Sequence, residues 1–219
     1  LYIAIKGDKY DGHQFLKTVM NSGAVAAIVE DTQDDIDIQQ IKVKNTLSEI
    51  AKISKMWRNQ FDIPVIGITG SNGKTSTKEL LAHVLSNDYI VHATKGNFNT
   101  NIGVPLTLLE LKPTHNISII EIGASVPGEI ENLCKIVKPN YGIITNIAPA
   151  HLEGFRTIEN IAFEKGALFR ALGKGISFVN QADNLVSQVP FNGKRITYGL
   201  SPECDFPADI YHENDGTLT

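Results

Sequence analysis

The sequence predicts an α/β protein: a small N-terminal α/β domain followed by a P-loop-type, mostly parallel sheet with helices on both faces. Three observations carry that expectation. Apolar, β-branched runs alternate with amphipathic stretches along most of the 219 residues, as buried parallel strands joined by helices do. One such run, Val65 to Thr69, passes through the glycine-rich turn Gly70-Ser71-Asn72-Gly73 into Lys74-Thr75-Ser76, which opens an amphipathic helix. Pro64 stands just before that run and places a domain border near residues 60–63, dividing the chain into units 1–61 and 62–219.

Taken in order, the first unit reads as a strand at 2–5, a helix at 13–20, a strand at 24–29, a polar acidic stretch over 30–40 and a short strand at 41–43. A helix follows over 46–60, with Leu47, Ile50, Ile53 and Trp57 on one face and Asn45 or Thr46 as N-cap. In the second unit strands are expected at 65–69, 89–93, 117–122, 141–147 and 175–179, and helices at 74–86, 104–111, 128–138 and 158–172. Leu80, Leu81, Val84 and Leu85 form the expected inward stripe of the first of these helices. Parallel sheets present ligands at the carboxyl ends of their strands, so the chemistry is sought there.

Composition narrows the function classes. A net charge of -4 lacks the basic excess of a nucleic-acid-binding surface. No apolar run approaches the ~20 residues that span a bilayer, and Leu1-Tyr2-Ile3-Ala4-Ile5-Lys6 lacks the charged start and cleavage site of a signal peptide. Cys134 and Cys204 show no metal-ligand spacing and read as free thiols in a reducing compartment. A cytoplasmic protein with neither nucleic acid nor membrane as partner is expected. Leu1 to Ile5 reads as the middle of a strand and 214–219 as a polar turn without a closing element, so a longer protein is expected.

Glycines in a strand-to-helix turn let backbone N–H groups converge on one anion, and the helix N-terminus adds its partial positive charge. Gly70, Ser71, Asn72, Gly73, Lys74, Thr75 and Ser76 are therefore the candidate nucleotide-binding residues. Lys74 would reach the β- and γ-phosphates of ATP, and the Thr75 hydroxyl would ligate Mg²⁺. The spacing is shorter than usual, with Ile68 where the common P-loop has a glycine. The alternative is a plain strand–helix turn with Lys74 solvated.

Five further features lie near strand ends or on helices. Glu121 closes a buried strand, where a carboxylate is costly without a partner; the partner is Mg²⁺, or else Glu121 satisfies a turn. His151 follows the 141–147 strand and is either a loop hydrogen-bonding residue or a ligand. Lys165 falls within the apolar stripe Ile158, Ile161, Ala162, Leu168, Phe169 and Leu172, so it snorkels, pairs with Glu164 or a distant acid, or serves chemistry. Asn97, Asn99 and Asn101 alternate in one loop and suit a hydroxyl- and carbonyl-rich substrate, or are a simple turn cluster. His13, after Asp11-Gly12, belongs to a helix start or to a polar substrate cleft.

Together these stretches resemble the Mur ligase family, ATP-dependent amide-bond-forming enzymes of peptidoglycan synthesis. The resemblance rests on Ala4-Ile5-Lys6-Gly7 with Asp11 to Phe15, Gly67 to Thr75, Gly96 to Thr107, Glu121-Ile122-Gly123-Ala124 with Pro127 to Ile130, and Thr145 to Phe155. It implies UDP-N-acetylmuramoyl-tripeptide and D-Ala-D-Ala as substrates of a monomeric enzyme. It also implies metal binding by Glu121 and His151, and carbamylation of Lys165, which turns a repelling cation into a ligating carboxylate. By the resemblance Lys74, Lys165 and His151 are catalytic, and a C-terminal amino-acid-binding domain is absent from this chain, which alone would have little ligase activity. Ser125-Val126 and Thr100 depart from the family pattern. A sibling ligase, a small-molecule P-loop kinase and a non-catalytic nucleotide-binding module are the competing expectations.

Overall fold

The computed structural model describes residues 1–7, 10–150 and 152–209, Leu152 by its backbone alone. Three parallel strands, β1 (Tyr2–Ile3), β2 (Ala26–Val29) and β3 (Gln39–Lys42), lie in the order β1-β2-β3. Helix α1 (Leu16–Asn21), entered through a 3-10 turn at Gly12–Phe15, packs Leu16 against Ala4, Ala27 and Val29. Helix α2 (Thr46–Arg58) begins where the Asn45 side chain accepts the Ser48 N–H.

The buried face of α2 is not the expected one. Thr46, Ile50, Ser54 and Arg58 point inward, while Trp57 is 39% exposed. The rotation follows from polar anchoring: Trp57 Nε1 donates to Leu111 O and Arg58 Nε to Val137 O in the second unit, while Arg58 Nη1 donates to the nearby Phe61 O. A helix can bury polar residues that find carbonyls in preference to apolar ones that do not.

The second unit is a seven-stranded sheet. Its strands are β4 (Val65–Thr69), β5 (Val91–Ala93), β6 (Ile117–Glu121), β7 (Tyr141–Ile144), β8 (Ile176–Asn180), β9 (Lys194–Gly199) and β10 (Phe206–Pro207), in the order β10-β9-β8-β7-β4-β6-β5 and all parallel. β9 and β10 were not expected from the sequence; β9 is only half-buried, which leaves no continuous apolar run to read. Its helices are α3 (Lys74–Leu85), α4 (Gly103–Leu109), α5 (Glu129–Val137), α6 (Leu152–Phe155), α7 (Ile158–Ala171) and α8 (Asn184–Ser187). Alternate strand residues feed two cores. Val65, Ile120 and Ile144 join α4, α5 and α7 on one face, while Ile66, Ile68 and Ile119 meet Leu81, Ala82 and Leu85 of α3 on the other. A Cβ at Gly67 would lie 2.8 Å from Leu168 Cδ1 of α7, so a side chain there would push the Leu168 tip aside.

The inward stripe of α3 is also displaced. Leu80 and Val84 are exposed, whereas Lys78 is fully buried. β7 stops at Ile144 rather than at 147: the Thr145 N–H still donates to Thr69 O, but the Thr145 hydroxyl, Asn146 and Ala148 bond the glycine turn and the Ile147 N–H goes to Asp183.

His92 of β5 is a buried imidazole that donates from Nε2 to Thr107 O and accepts at Nδ1 from the Ser118 hydroxyl. Burial, against the pull of the Thr107 bond, lowers its pKa from 6.5 to about 4. The folded state then binds fewer protons than the unfolded chain between those values, so stability rises with pH across that window. The contribution is complete above pH 6.5 and is lost as pH falls toward 4, at most roughly 3 kcal/mol. Urea unfolding at pH 7 and pH 4.5 should show a steep acid loss in the wild type and a shallower one in His92→Gln.

Candidate nucleotide and metal site

The connection from β6 to β7 steps across β4, so the carboxyl ends of these three strands form the switch point where doubly wound sheets bind ligands. Every described candidate except His13 lies at this end of the sheet or on a helix that faces it.

The turn after β4 is held in a fixed shape. Gly70 has φ +151°, and a Cβ there would lie 1.9 Å from Thr145 Oγ1. Gly73 has φ +76° and caps α3. Ser71 donates its N–H to Asn146 O and its hydroxyl to Ala148 O, and accepts the Ala148 N–H at Oγ. Asn146 grips Asn72 twice, accepting its N–H at Oδ1 and donating from Nδ2 to its carbonyl. Ser71 and Asn72 therefore spend their N–H groups inside the protein. The donors that helix geometry leaves free for phosphate are those at the first turn of α3, which include Lys74, Thr75 and Ser76. Gly70→Ala should cost about 1–3 kcal/mol in backbone strain and weaken ADP binding, measured by fluorescence titration, because Thr145 must release Asn72.

Lys74 Nζ donates to Gly70 O at 2.9 Å and to Ser71 O at 3.3 Å, so its ammonium waits over the turn. Burial lowers its pKa and the nearby Glu121 opposes that. Glu121 is 1% exposed, and its two oxygens are committed. Oε2 accepts the Thr75 hydroxyl at 2.9 Å, and Oε1 accepts Asn99 Nδ2 at 2.7 Å. The Glu121 N–H donates to Thr94 Oγ1 at 3.0 Å. A hydroxyl and a carboxylate oxygen this close suit a hard divalent cation. Among the described residues no group of three His, Cys, Asp or Glu gathers, so phosphate and water oxygens would complete the shell.

Lys165 projects into the same corner. With Gly70, Lys74, Asn99, Thr100, Gly123, Ser125 and Glu129 it lines a cavity of about 220 Å³. Burial first and the charge of Lys74 second lower its pKa to about 8. Glu164 is not its partner: that carboxylate accepts the N–H groups of Gly128 and Ile130 and so caps α5. Glu129 likewise closes the loop after β6, accepting the N–H groups of Ser125 and Val126.

The three asparagines do not act together. Asn99 turns inward to Glu121, while Asn97 and Asn101 are exposed. His13 lies in the first unit, where Nδ1 meets Asp11 Oδ1 at 2.6 Å and Nε2 accepts the Glu30 N–H at 2.8 Å. Both ring nitrogens have internal partners, so His13 fastens the first unit together. His151 lies outside the described residues. Thr94, Asn146 and Lys78 belong to the site's support and were not anticipated; only Lys78 left a signal, at i, i+3, i+4, i+7 with Leu81, Ala82 and Leu85.

A glycine turn at the switch point of a parallel sheet, with a hydroxyl–carboxylate pair beside a half-buried lysine, defines a P-loop nucleotide-binding α/β protein. The chain belongs to the Mur ligase family, residues 68–219 matching the family described as Mur ligase middle domain. It is 40% identical, over 189 residues, to the UDP-N-acetylmuramoyl-tripeptide–D-alanyl-D-alanine ligase of Haemophilus influenzae, covering 84% of this chain and 41% of that protein. MurF from Acinetobacter baumannii has a similar structure, with a TM-score of 0.88 at 34% identity over 95% of this chain and 47% of that one. MurF ligase from Thermotoga maritima, solved in complex with ADP, gives 0.86 at 33% identity over 97% and 50%. The chain thus spans about half the length of these proteins.

Proposed function

We propose that the complete protein is an ATP-dependent amide ligase that adds D-Ala-D-Ala to UDP-N-acetylmuramoyl-tripeptide, and that this chain carries its nucleotide site. The single observation that supports it most is the corner formed by Lys74, Thr75, Glu121 and Lys165 at the carboxyl ends of β4 and β6, in a chain so close to proteins named for that reaction. A carboxylate oxygen of the tripeptide attacks the γ-phosphorus of ATP, ADP leaves, and an acyl phosphate forms. The amine of the dipeptide then attacks the acyl carbon, loses a proton, and expels inorganic phosphate.

Each residue has a part in this reading. Lys74 leaves the carbonyls of Gly70 and Ser71 for the phosphate oxygens, where charge accumulates in the transition state. First-turn N–H groups of α3 hold the β-phosphate. Thr75 and Glu121 would hold Mg²⁺, with His151 as a further ligand, and the ion would supply neutralisation of phosphate charge. Lys165, with a pKa near 8, presents a fraction of neutral amine that would combine with CO₂, releasing a proton, to give a carbamate able to serve as a metal ligand. Asn97 and Asn101 contact substrate from the exposed loop. Residues 1–61 form a UDP-sugar-substrate domain and 62–219 the ATP-binding domain of a cytoplasmic monomer, with amino-acid recognition supplied by a further domain.

The test is phosphate release by the complete protein with ATP, the tripeptide nucleotide and a panel of amines. The reading expects turnover with D-Ala-D-Ala and none with glutamate or diaminopimelate; turnover with either of those instead would assign a sibling reaction.

A further inference from the structure

Lys78 is among the largest fully buried side chains of the described residues, at 0% exposure, and none of the roles above uses it. Its Nζ donates to Thr94 O, reaches Gly96 O at 3.5 Å and pairs at 2.8 Å with Glu79, which is itself 65% exposed. A buried ammonium is costly, and removing its partners or removing it alone leaves polar groups without compensation. Its location explains what it holds. Lys78 sits one turn beyond Lys74 on α3, whereas Thr94 and Gly96 are the exit of β5 into the loop that carries Asn99.

Thr94 is the relay. Its N–H continues the ladder to Ile119 O at 3.0 Å, and its hydroxyl accepts the Glu121 N–H at 3.0 Å. Asn99, five residues on, donates to the Glu121 carboxylate, which also receives the Thr75 hydroxyl from α3. The ring of contacts runs Lys78, Thr94, Glu121, Thr75 and back along α3 to Lys78. One side of it is the phosphate-binding helix and the other is the loop that positions Asn99.

We propose that Lys78 is a positioning residue: its buried ammonium ties the β5 exit to the nucleotide helix, so that Glu121 and Asn99 stay set around the phosphate-bound metal. The role rests on the nucleotide–metal reading of the Thr75–Glu121 corner, and it touches neither nucleotide nor metal. Groups that orient a metal ligand from behind typically change metal affinity 10–100-fold when lost.

The test uses the complete protein and ADP as probe, titrated by fluorescence with Mg²⁺ at increasing concentration and separately in EDTA, with thermal melting in parallel. Lys78→Met should raise the Mg²⁺ concentration needed for half-maximal tightening about tenfold, with ADP affinity in EDTA unchanged. Glu79→Gln, which removes only the exposed partner, should behave as wild type. Should Lys78→Met fail to fold, Thr94→Val cuts the next link and should raise the Mg²⁺ requirement in the same way. An unchanged Mg²⁺ requirement in the folded variant, or equal weakening of ADP with and without Mg²⁺, would overturn the proposal and leave Lys78 a support of α3 alone. Wild-type protein that binds ADP without regard to Mg²⁺ would instead refute the metal reading beneath it, a separate and recognisable result.

Discussion

Lys74→Ala is expected to lower ATP-dependent phosphate release by about 1,000-fold while the protein still folds. The Lys74 ammonium is poised over the turn, held there by two backbone carbonyls, Gly70 O and Ser71 O. Those carbonyls lose little when the ammonium goes, because the turn is fixed independently by Ser71 with Ala148 and by Asn72 with Asn146. The loss should therefore fall on the transition state, where negative charge accumulates on the transferred phosphoryl group. Rapid-mix phosphate assays beside thermal melts separate the two effects. A large fall in melting temperature with a modest fall in rate would place Lys74 in the fold rather than in the chemistry.

Glu121→Gln should cost nearly as much, about 100-fold in rate, and for a different reason. The side chain is buried, and its carboxylate accepts from Thr75 and Asn99 at once. Glutamine keeps the volume and one acceptor but loses the charge and presents a donor to a donor. Both consequences act on the metal: the ligand weakens, and Thr75 and Asn99 lose their shared anchor. ADP affinity in EDTA should be unaffected while the gain on adding Mg²⁺ disappears. Equal ADP binding by wild type and variant at saturating Mg²⁺ would remove Glu121 from the metal site.

Much of this site is legible in the sequence, for reasons that differ residue by residue. Val65 to Thr69 is a continuous apolar run followed by glycines, and such a run in a parallel sheet has few other conformations open to it. Glu121 and Lys165 announce themselves as charges on buried surfaces, and the structure brings both to the corner that Lys74 and Thr75 open. What stayed hidden depends on partners distant in sequence. His13 is buried because Glu30 and Asp31 offer it their N–H groups. The asparagine loop looked like one wall, yet the chain curls so that Asn99 alone faces Glu121. In α3 the hydrophobic count favoured Leu80 and Val84, while the carbonyls of Thr94 and Gly96 drew Lys78 inward. The logic that marked Lys165 as a lysine on an inward stripe applied equally to Lys78 on α3.

The central claim is that phosphoryl transfer to a carboxylate precedes amide formation. UDP-N-acetylmuramoyl-tripeptide labelled with ¹⁸O in its terminal carboxylate, turned over by the complete protein with ATP and D-Ala-D-Ala, tests it directly by mass spectrometry of the phosphate released. An acyl phosphate hands one labelled oxygen to each phosphate, so singly labelled phosphate is the predicted product. Unlabelled phosphate, formed at the same rate as the amide, would contradict it.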